Sequence, residues 1–232
     1  RAMIAFEAAP IPDGMRKGAV SVLVGHVRRK LANVPQGASA RFAEAMRTRP
    51  IAENTDDANA QHYEVPAPFF QACLGPHLKY SSCLYETPED TLEAAEARAL
   101  TETCRNAALE DGQNILELGC GWGSLSLWMA AHYPNARITS VSNSASQRAF
   151  IAGQAAARGL ANLSVVTADM NVFDPGRRFD RIVSVEMFEH MSNWRALLER
   201  CRNWLEPDGR LFLHVFAHRA APYRFDVSDP AD

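Results

Sequence analysis

Residues 114–124 read Asn-Ile-Leu-Glu-Leu-Gly-Cys-Gly-Trp-Gly-Ser. A strand-length apolar run (Asn114–Leu118) meets a glycine-rich turn (Gly119, Gly121, Gly123), and a helical stretch begins at Ser124. Glycines at that spacing let backbone amides approach a ligand at a helix N-terminus. The turn lacks the lysine of a phosphate-binding P-loop and the G-x-G-x-x-G of a dinucleotide turn. Glu117 stands two residues before the first glycine. A carboxylate there repels pyrophosphate and welcomes an ammonium group, which favours S-adenosylmethionine, a cofactor with an amino-acid tail and no phosphate. An ordinary tight turn between strand and helix would use the same glycines.

The rhythm continues outward from this turn. Helical stretches at 124–132, 144–158 and 193–205 alternate with strand-length apolar runs at 137–141, 163–167, 181–185 and 210–216. That alternation predicts an α/β fold with a parallel sheet and helices on both faces. Upstream, residues 88–109 read as a helix starting at Pro88. Residues 61–90 are aromatic and Pro-rich (Tyr63, Phe69, Phe70, Tyr80, Tyr85), a composition that folds over something rather than staying in water. Helices are expected over 15–33, with Val20, Val24, Val27 and Leu31 in apolar positions, and near 39–48. Residues 52–60 read as a linker. The expected organisation is a helical accessory segment (1–60), an aromatic lid and helix (61–110) and a cofactor-binding core (111–232).

Composition narrows the function classes. The chain has 232 residues, 47% of them hydrophobic and 22% charged, as in globular proteins. No apolar run reaches the ~18–20 residues of a membrane span. The net charge of −3 gives no global basic field for nucleic acid. The charge is uneven: residues 1–50 hold nine Lys/Arg against three Asp/Glu, and the remainder hold 15 against 24. The basic segment is either a solvated face or a weak contact with an anionic membrane surface. Five cysteines (Cys73, Cys83, Cys104, Cys120, Cys201) form no CxxC pair. Neither a disulfide framework nor a metal site is signalled, and free thiols fit a cytoplasmic setting.

In doubly wound folds the ligand lies at the carboxyl ends of the strands. The second strand ends in Val141-Ser142-Asn143-Ser144 with Gln147 one turn on, where hydroxyls and an amide can face a ribose or simply cap a helix. The third ends in Thr167-Ala168-Asp169-Met170, where Asp169 can accept from an adenine amino group and Met170 can pack on the ring. The fourth ends in Val185-Glu186-Met187-Phe188-Glu189-His190. A helical turn there would put Glu186, Glu189 and His190 on one face. Crowded carboxylates in a closed site are expected to have raised pKa values, so carboxylates and imidazole alike could take a proton near neutrality.

Together, HYEVPAPFF (62–70), KYSSCLYE (79–86), ILELGCGWGSL (115–125), TSVSNSASQ (139–147), SVEMFEHM (184–191) and LFLHVF (211–216) resemble the cyclopropane-fatty-acid-synthase-like methyltransferases. Within that group the chain is most similar to the coclaurine N-methyltransferase-like branch. The resemblance covers residues 60 onward. It implies a Rossmann-like class I methyltransferase sheet with a helical N-terminal lid, the family's last two strands lying beyond this chain. It also implies that Tyr80 and Ser82 close over the cofactor's methionine tail and that Gly119, Gly121 and Gly123 form its glycine loop. Ser142 and Gln147 then contact the ribose, and Asp169 and Met170 the adenine. In cyclopropane synthases the equivalents of Cys83, Glu189 and His214, with a tyrosine further on, hold a bicarbonate; in the N-methyltransferase branch those of Glu186, Glu189 and His190 serve the amine. The chain departs from the synthases at Glu186, where they carry glycine, and at Phe216, where they carry a small β-branched residue. Both departures oppose an anion site, so the expected acceptor is a small amine, with an unsaturated lipid chain as the alternative.

Overall fold

The computed structural model describes residues 11–32, 34–53, 67–219 and 222. Tyr63 and most of the 52–60 linker lie outside them. The chain divides into two compact units, residues 47–216 and a second combining 1–46 with 217–232. The second contains α1 (Asp13–Ala32) and α2 (Ala38–Met46). Val20, Val24 and Val27 of α1 are exposed. Among the described residues no helix is long and apolar enough to cross a membrane.

The 47–216 unit is built on β1 (Asn114–Leu118), β2 (Arg137–Ser142), β3 (Leu163–Thr167), β4 (Phe179–Val185) and β5 (Leu205–His214). All neighbours are parallel, in the order β3-β2-β1-β4-β5. The helices are α3 (Ala67–Cys73), α4 (Leu92–Asn106), α5 (Ser124–His132), α6 (Ala145–Ala157) and α7 (Trp194–Trp204). Both faces of the sheet are covered, so its central strands read as continuous apolar runs. Ile115 and Val183 pack with Leu100, Leu125 and Met129. Their neighbours Leu116, Leu118 and Ile182 pack on the other face with Phe188, Leu197 and Trp204. Strand order reverses between β1 and β4, which opens a crevice at their carboxyl ends.

Two boundaries differ from the expected ones. The 88–109 helix begins at Leu92, because Asp90 accepts the N–H groups of Glu86 (2.7 Å) and Thr87 (3.2 Å) and folds 86–90 into a turn. Thr91 then caps the helix by accepting from Ala94 N–H at 3.2 Å. The last strand begins at Leu205 rather than 210. Leu205 pairs with Phe179 and Arg210 with Arg181, so residues 206–209 are carried as a bulge.

Candidate active site

A cavity of about 580 Å³ opens at the switch point. Its wall includes Glu117, Gly119 and Gly121 from the β1 turn, Ser142 and Gln147 after β2, Asp169 and Met170 after β3, and Glu186, Glu189 and His190 after β4. Tyr80 and Phe216 also line it. Ser82, Cys83, Gly123 and His214 do not belong to this wall. Thus residues expected from four strand ends meet in one space, whereas Cys83 and His214, both implied for bicarbonate, lie outside its lining.

The β1 turn is shaped by its glycines. At Gly119 (φ 81°) an added Cβ would come within 2.5 Å of the Met187 side chain. At Gly121 (φ 51°) it would meet no protein atom within 4 Å. Gly121 therefore presents bare backbone to the cavity for a reason other than internal packing. Gly123 caps α5 without a side-chain bond, and Ser124 Oγ is buried without a hydrogen-bond partner. Glu117 is buried, and its Oε2 accepts from Ser140 Oγ at 2.7 Å and from Ser126 Oγ. Burial pushes its carboxyl pKa up and the two hydroxyls only partly oppose this. Its negative charge is therefore costly alone and is favoured by a cation placed against it.

After β2, Ser142 Oγ donates to Gln147 Oε1 at 2.6 Å and accepts Ser144 N–H at 3.0 Å. Ser144 caps α6 by accepting Gln147 N–H at 3.3 Å, so capping and cavity lining occur side by side. After β3, Asp169 Oδ1 accepts Asn171 N–H at 2.8 Å, while Met170 is buried in the core beside the cavity.

The β4 end corrects two expectations. Glu186, Glu189 and His190 do not share a helical face. Glu186 sits at φ 52°, outside any helix, and only Phe188–His190 form a single 3₁₀ turn. Glu186 N–H donates to His214 O at 2.7 Å. Its carboxylate accepts Ser81 Oγ at 2.5 Å and Ser82 Oγ at 2.8 Å. Nor is its pKa raised: burial pushes it up, but the two serine hydroxyls and the charges of Lys79 and His214 outweigh this and hold it below the usual carboxylate value. Glu186 is thus an ionised group suited to holding a cation and a weak proton acceptor. Glu189 Oε1 accepts Phe216 N–H at 2.9 Å, and its Oε2 is buried with no hydrogen-bond partner. Glu189 lines the cavity. His190 is exposed at the cavity rim.

Several wall residues were not expected. Lys79 is 7% exposed, and burial lowers its pKa against the opposing charges of Cys83, Glu186 and Glu96. Its one signal in the sequence is a lone lysine among lid aromatics. Ala52 and Glu53 belong to a strap, residues 47–53. Asn171 accepts from Ala52 N–H at 3.1 Å and donates to Ala52 O at 3.0 Å. Asn193 donates to Arg47 O and Arg49 O at 3.0 and 2.9 Å, and Ser192 to Glu53 at 2.6 Å. The strap ties together the loops after β3 and β4. Phe70 and Trp122 pack 5.1 Å apart between α3 and the glycine turn.

Residues 52–224 match the family model for mycolic acid cyclopropane synthetase. The (S)-coclaurine N-methyltransferase of Thalictrum flavum subsp. glaucum is 37% identical over 191 residues, which cover 82% of this chain and 53% of that protein. The cyclopropane-fatty-acyl-phospholipid synthase of Escherichia coli (strain K12) is 32% identical, over 72% of this chain and 42% of that protein. The crystal structure of coclaurine N-methyltransferase bound to N-methylheliamine and SAH superposes with a TM-score of 0.87 at 32% identity, covering 95% of this chain and 65% of that one. The sheet is thus that of the class I methyltransferases. The chain spans about half the length of the curated relatives it matches. With three-quarters of its length inside the family model, the chain belongs to the mycolic acid cyclopropane synthetase family.

Proposed function

We propose that this chain carries the cofactor site and part of the acceptor site of an S-adenosylmethionine-dependent methyltransferase that methylates the nitrogen of a small amine. One observation carries the reading: the glycine turn and the Glu186–Glu189–His190 cluster line the same cavity. The residues fit the cofactor. Glu117 and the bare backbone at Gly121, with Gly119 and Gly123 shaping the turn, suit the amino-acid tail. Ser142 and Gln147 suit the ribose, Asp169 and Met170 the adenine, and Tyr80 the cover over the site, whereas Ser82 lies outside the cavity wall and bonds to Glu186 instead. The cofactor supplies an electrophilic methyl carbon on a sulfonium. An amine with pKa ~10 is mostly protonated at neutral pH and has no lone pair to attack with. Glu186, ionised, attracts and orients that ammonium; Glu189 and His190 stand next to it as proton acceptors. Holding acceptor and methyl donor in line supplies much of the rate.

A second reading is cyclopropane formation on an unsaturated phospholipid chain, in which the methyl carbon adds to the alkene and a base takes a proton from the resulting carbocation as the ring closes; the synthase relative supports it. The basic 1–50 segment would then contact an anionic membrane surface weakly. Glu186 and Phe216 argue against it by placing charge and bulk near where an anion would sit. Free cysteines support a cytoplasmic setting. Gly121→Val tests the cofactor assignment. A Cβ there meets no protein atom, but at φ 51° a side chain also strains the turn, so a thermal melt accompanies the calorimetry, which should show S-adenosylhomocysteine affinity falling at least about tenfold, ~1.4 kcal/mol. Unchanged affinity in the folded variant removes the glycine turn from the site.

A further inference from the structure

Glu96 lies on α4, outside the cavity wall, and is fully buried. Both of its carboxylate oxygens are engaged by one loop. Oε2 accepts the N–H of His77 and Oε1 that of Lys79, each at 3.0 Å. Gly75 packs so closely that a Cβ there would overlap the Glu96 carboxylate. Leu84 N–H closes the far end of the loop onto Ala95 O at 3.1 Å. Two non-glycine residues within the loop, Leu78 (φ 52°) and Ser82 (φ 57°), hold left-handed backbone. Such conformations persist where the surroundings over-determine them. A buried carboxylate is costly, and an apolar side chain would fill the same space without that cost. What the carboxylate adds is a fixed backbone path for residues 77–79.

That path leads directly to Ser81 and Ser82, whose hydroxyls hold Glu186 across 105 and 104 residues of sequence. We propose that Glu96 is a positioning residue of the acceptor site: by clamping the His77 and Lys79 backbone it sets the loop whose Ser81 and Ser82 hydroxyls fix the Glu186 carboxylate. Its consequence for turnover rests on the methyl-transfer reading; its consequence for Glu186 does not. The groups facing Glu186 are Ser81, Ser82 and Lys79 from the loop and His214 from β5, with Glu189 and His190 on the turn that follows it. Releasing the clamp loosens the first three together.

The test titrates the Glu186 carboxyl by carbon-13 NMR of glutamate-labelled protein, with a thermal melt for each variant. Glu96→Ala removes both acceptors. Glu96→Gln keeps one. Gly75→Ala disturbs the clamp from the loop side. The double variant Ser81→Ala/Ser82→Ala gives the fully released Glu186, and Glu93→Gln, exposed on the same helix, is the control. Glu186 should titrate below the ordinary range in the parent and the control, rise in Glu96→Ala to the value of the double serine variant, and lie between in Glu96→Gln and Gly75→Ala. In parallel, kcat/KM for methylation of (S)-coclaurine should fall about ten- to hundredfold in Glu96→Ala. A folded Glu96 or Gly75 variant with a lowered melting temperature and an unmoved Glu186 titration overturns the positioning role. A moved titration in a protein whose parent form methylates no amine upholds the clamp and overturns the N-methylation reading instead.

Discussion

Glu186→Gly is expected to lower amine methylation about 10²-fold, through loss of the carboxylate that orients the ammonium, while leaving the fold intact. Glu186 occupies left-handed backbone at φ 52°, which costs a side-chain-bearing residue ~1–2 kcal/mol and a glycine almost nothing. The bond from its N–H to His214 O is a backbone bond and survives the change. What disappears is the carboxylate. Because its pKa is lowered in the fold, the ionised group contributes stability above its unfolded pKa, and that contribution is lost as pH falls through the folded value. Glycine forfeits this term and recovers backbone strain, so the melting temperature should change little at neutral pH. On the lipid reading the outcome reverses. The variant restores the glycine of the synthase pattern, and activity on unsaturated phospholipid should persist or rise when bicarbonate is present. Measuring kcat/KM on both acceptors, with and without bicarbonate, separates the two. Retained amine methylation would remove Glu186 from the mechanism.

Phe188→Ala is expected to cost about 3–5 kcal/mol of stability, the usual range for emptying a fully buried phenylalanine site. Phe188 is the first residue of the 3₁₀ turn and is 0% exposed. It packs in the cluster of Leu118, Ile182 and Leu197 and meets Trp194 edge-on at 5.4 Å. It is the apolar anchor between Met187, which packs against Gly119, and Glu189. For a chain of this size each kcal/mol is worth about 2–4 °C, so the melting temperature should fall by roughly 6–20 °C. Phe216→Ala makes the contrast: Phe216 lines the cavity but is 81% exposed, and its loss should stay within about 0.5 kcal/mol. Denaturant unfolding of both variants gives the difference. A cost below about 1 kcal/mol for Phe188→Ala would show that the turn is not anchored by this ring.

The features readable from sequence are those written in local periodicity and turn chemistry. The helix at 124–132 and the strand at 163–167 fall where the apolar pattern places them, because the helix buries Leu125, Leu127 and Met129 and the strand rests Leu163, Val165 and Val166, partly buried, against the core. The strand ends carrying Gly119, Ser142, Asp169 and Glu186 converge because a parallel sheet brings all its carboxyl ends to one edge. Where long-range contacts decide, local reading fails. Spacing of three and four suggested a shared face for Glu186, Glu189 and His190, but two serines more than a hundred positions away take the Glu186 carboxylate, and the backbone turns left-handed there. The same contacts reverse the expected direction of its pKa shift. The Glu96 clamp and the 47–53 strap carry no local signature, since each is defined only by the loop it fastens.

The most direct measurement offers the protein S-adenosylmethionine labelled in its methyl group together with an equal supply of (S)-coclaurine-type amines and unsaturated phospholipid vesicles. Label should appear in the amine, at a rate that falls in Glu186→Gly. Label recovered in the phospholipid acyl chains, with none in the amine, would contradict N-methylation.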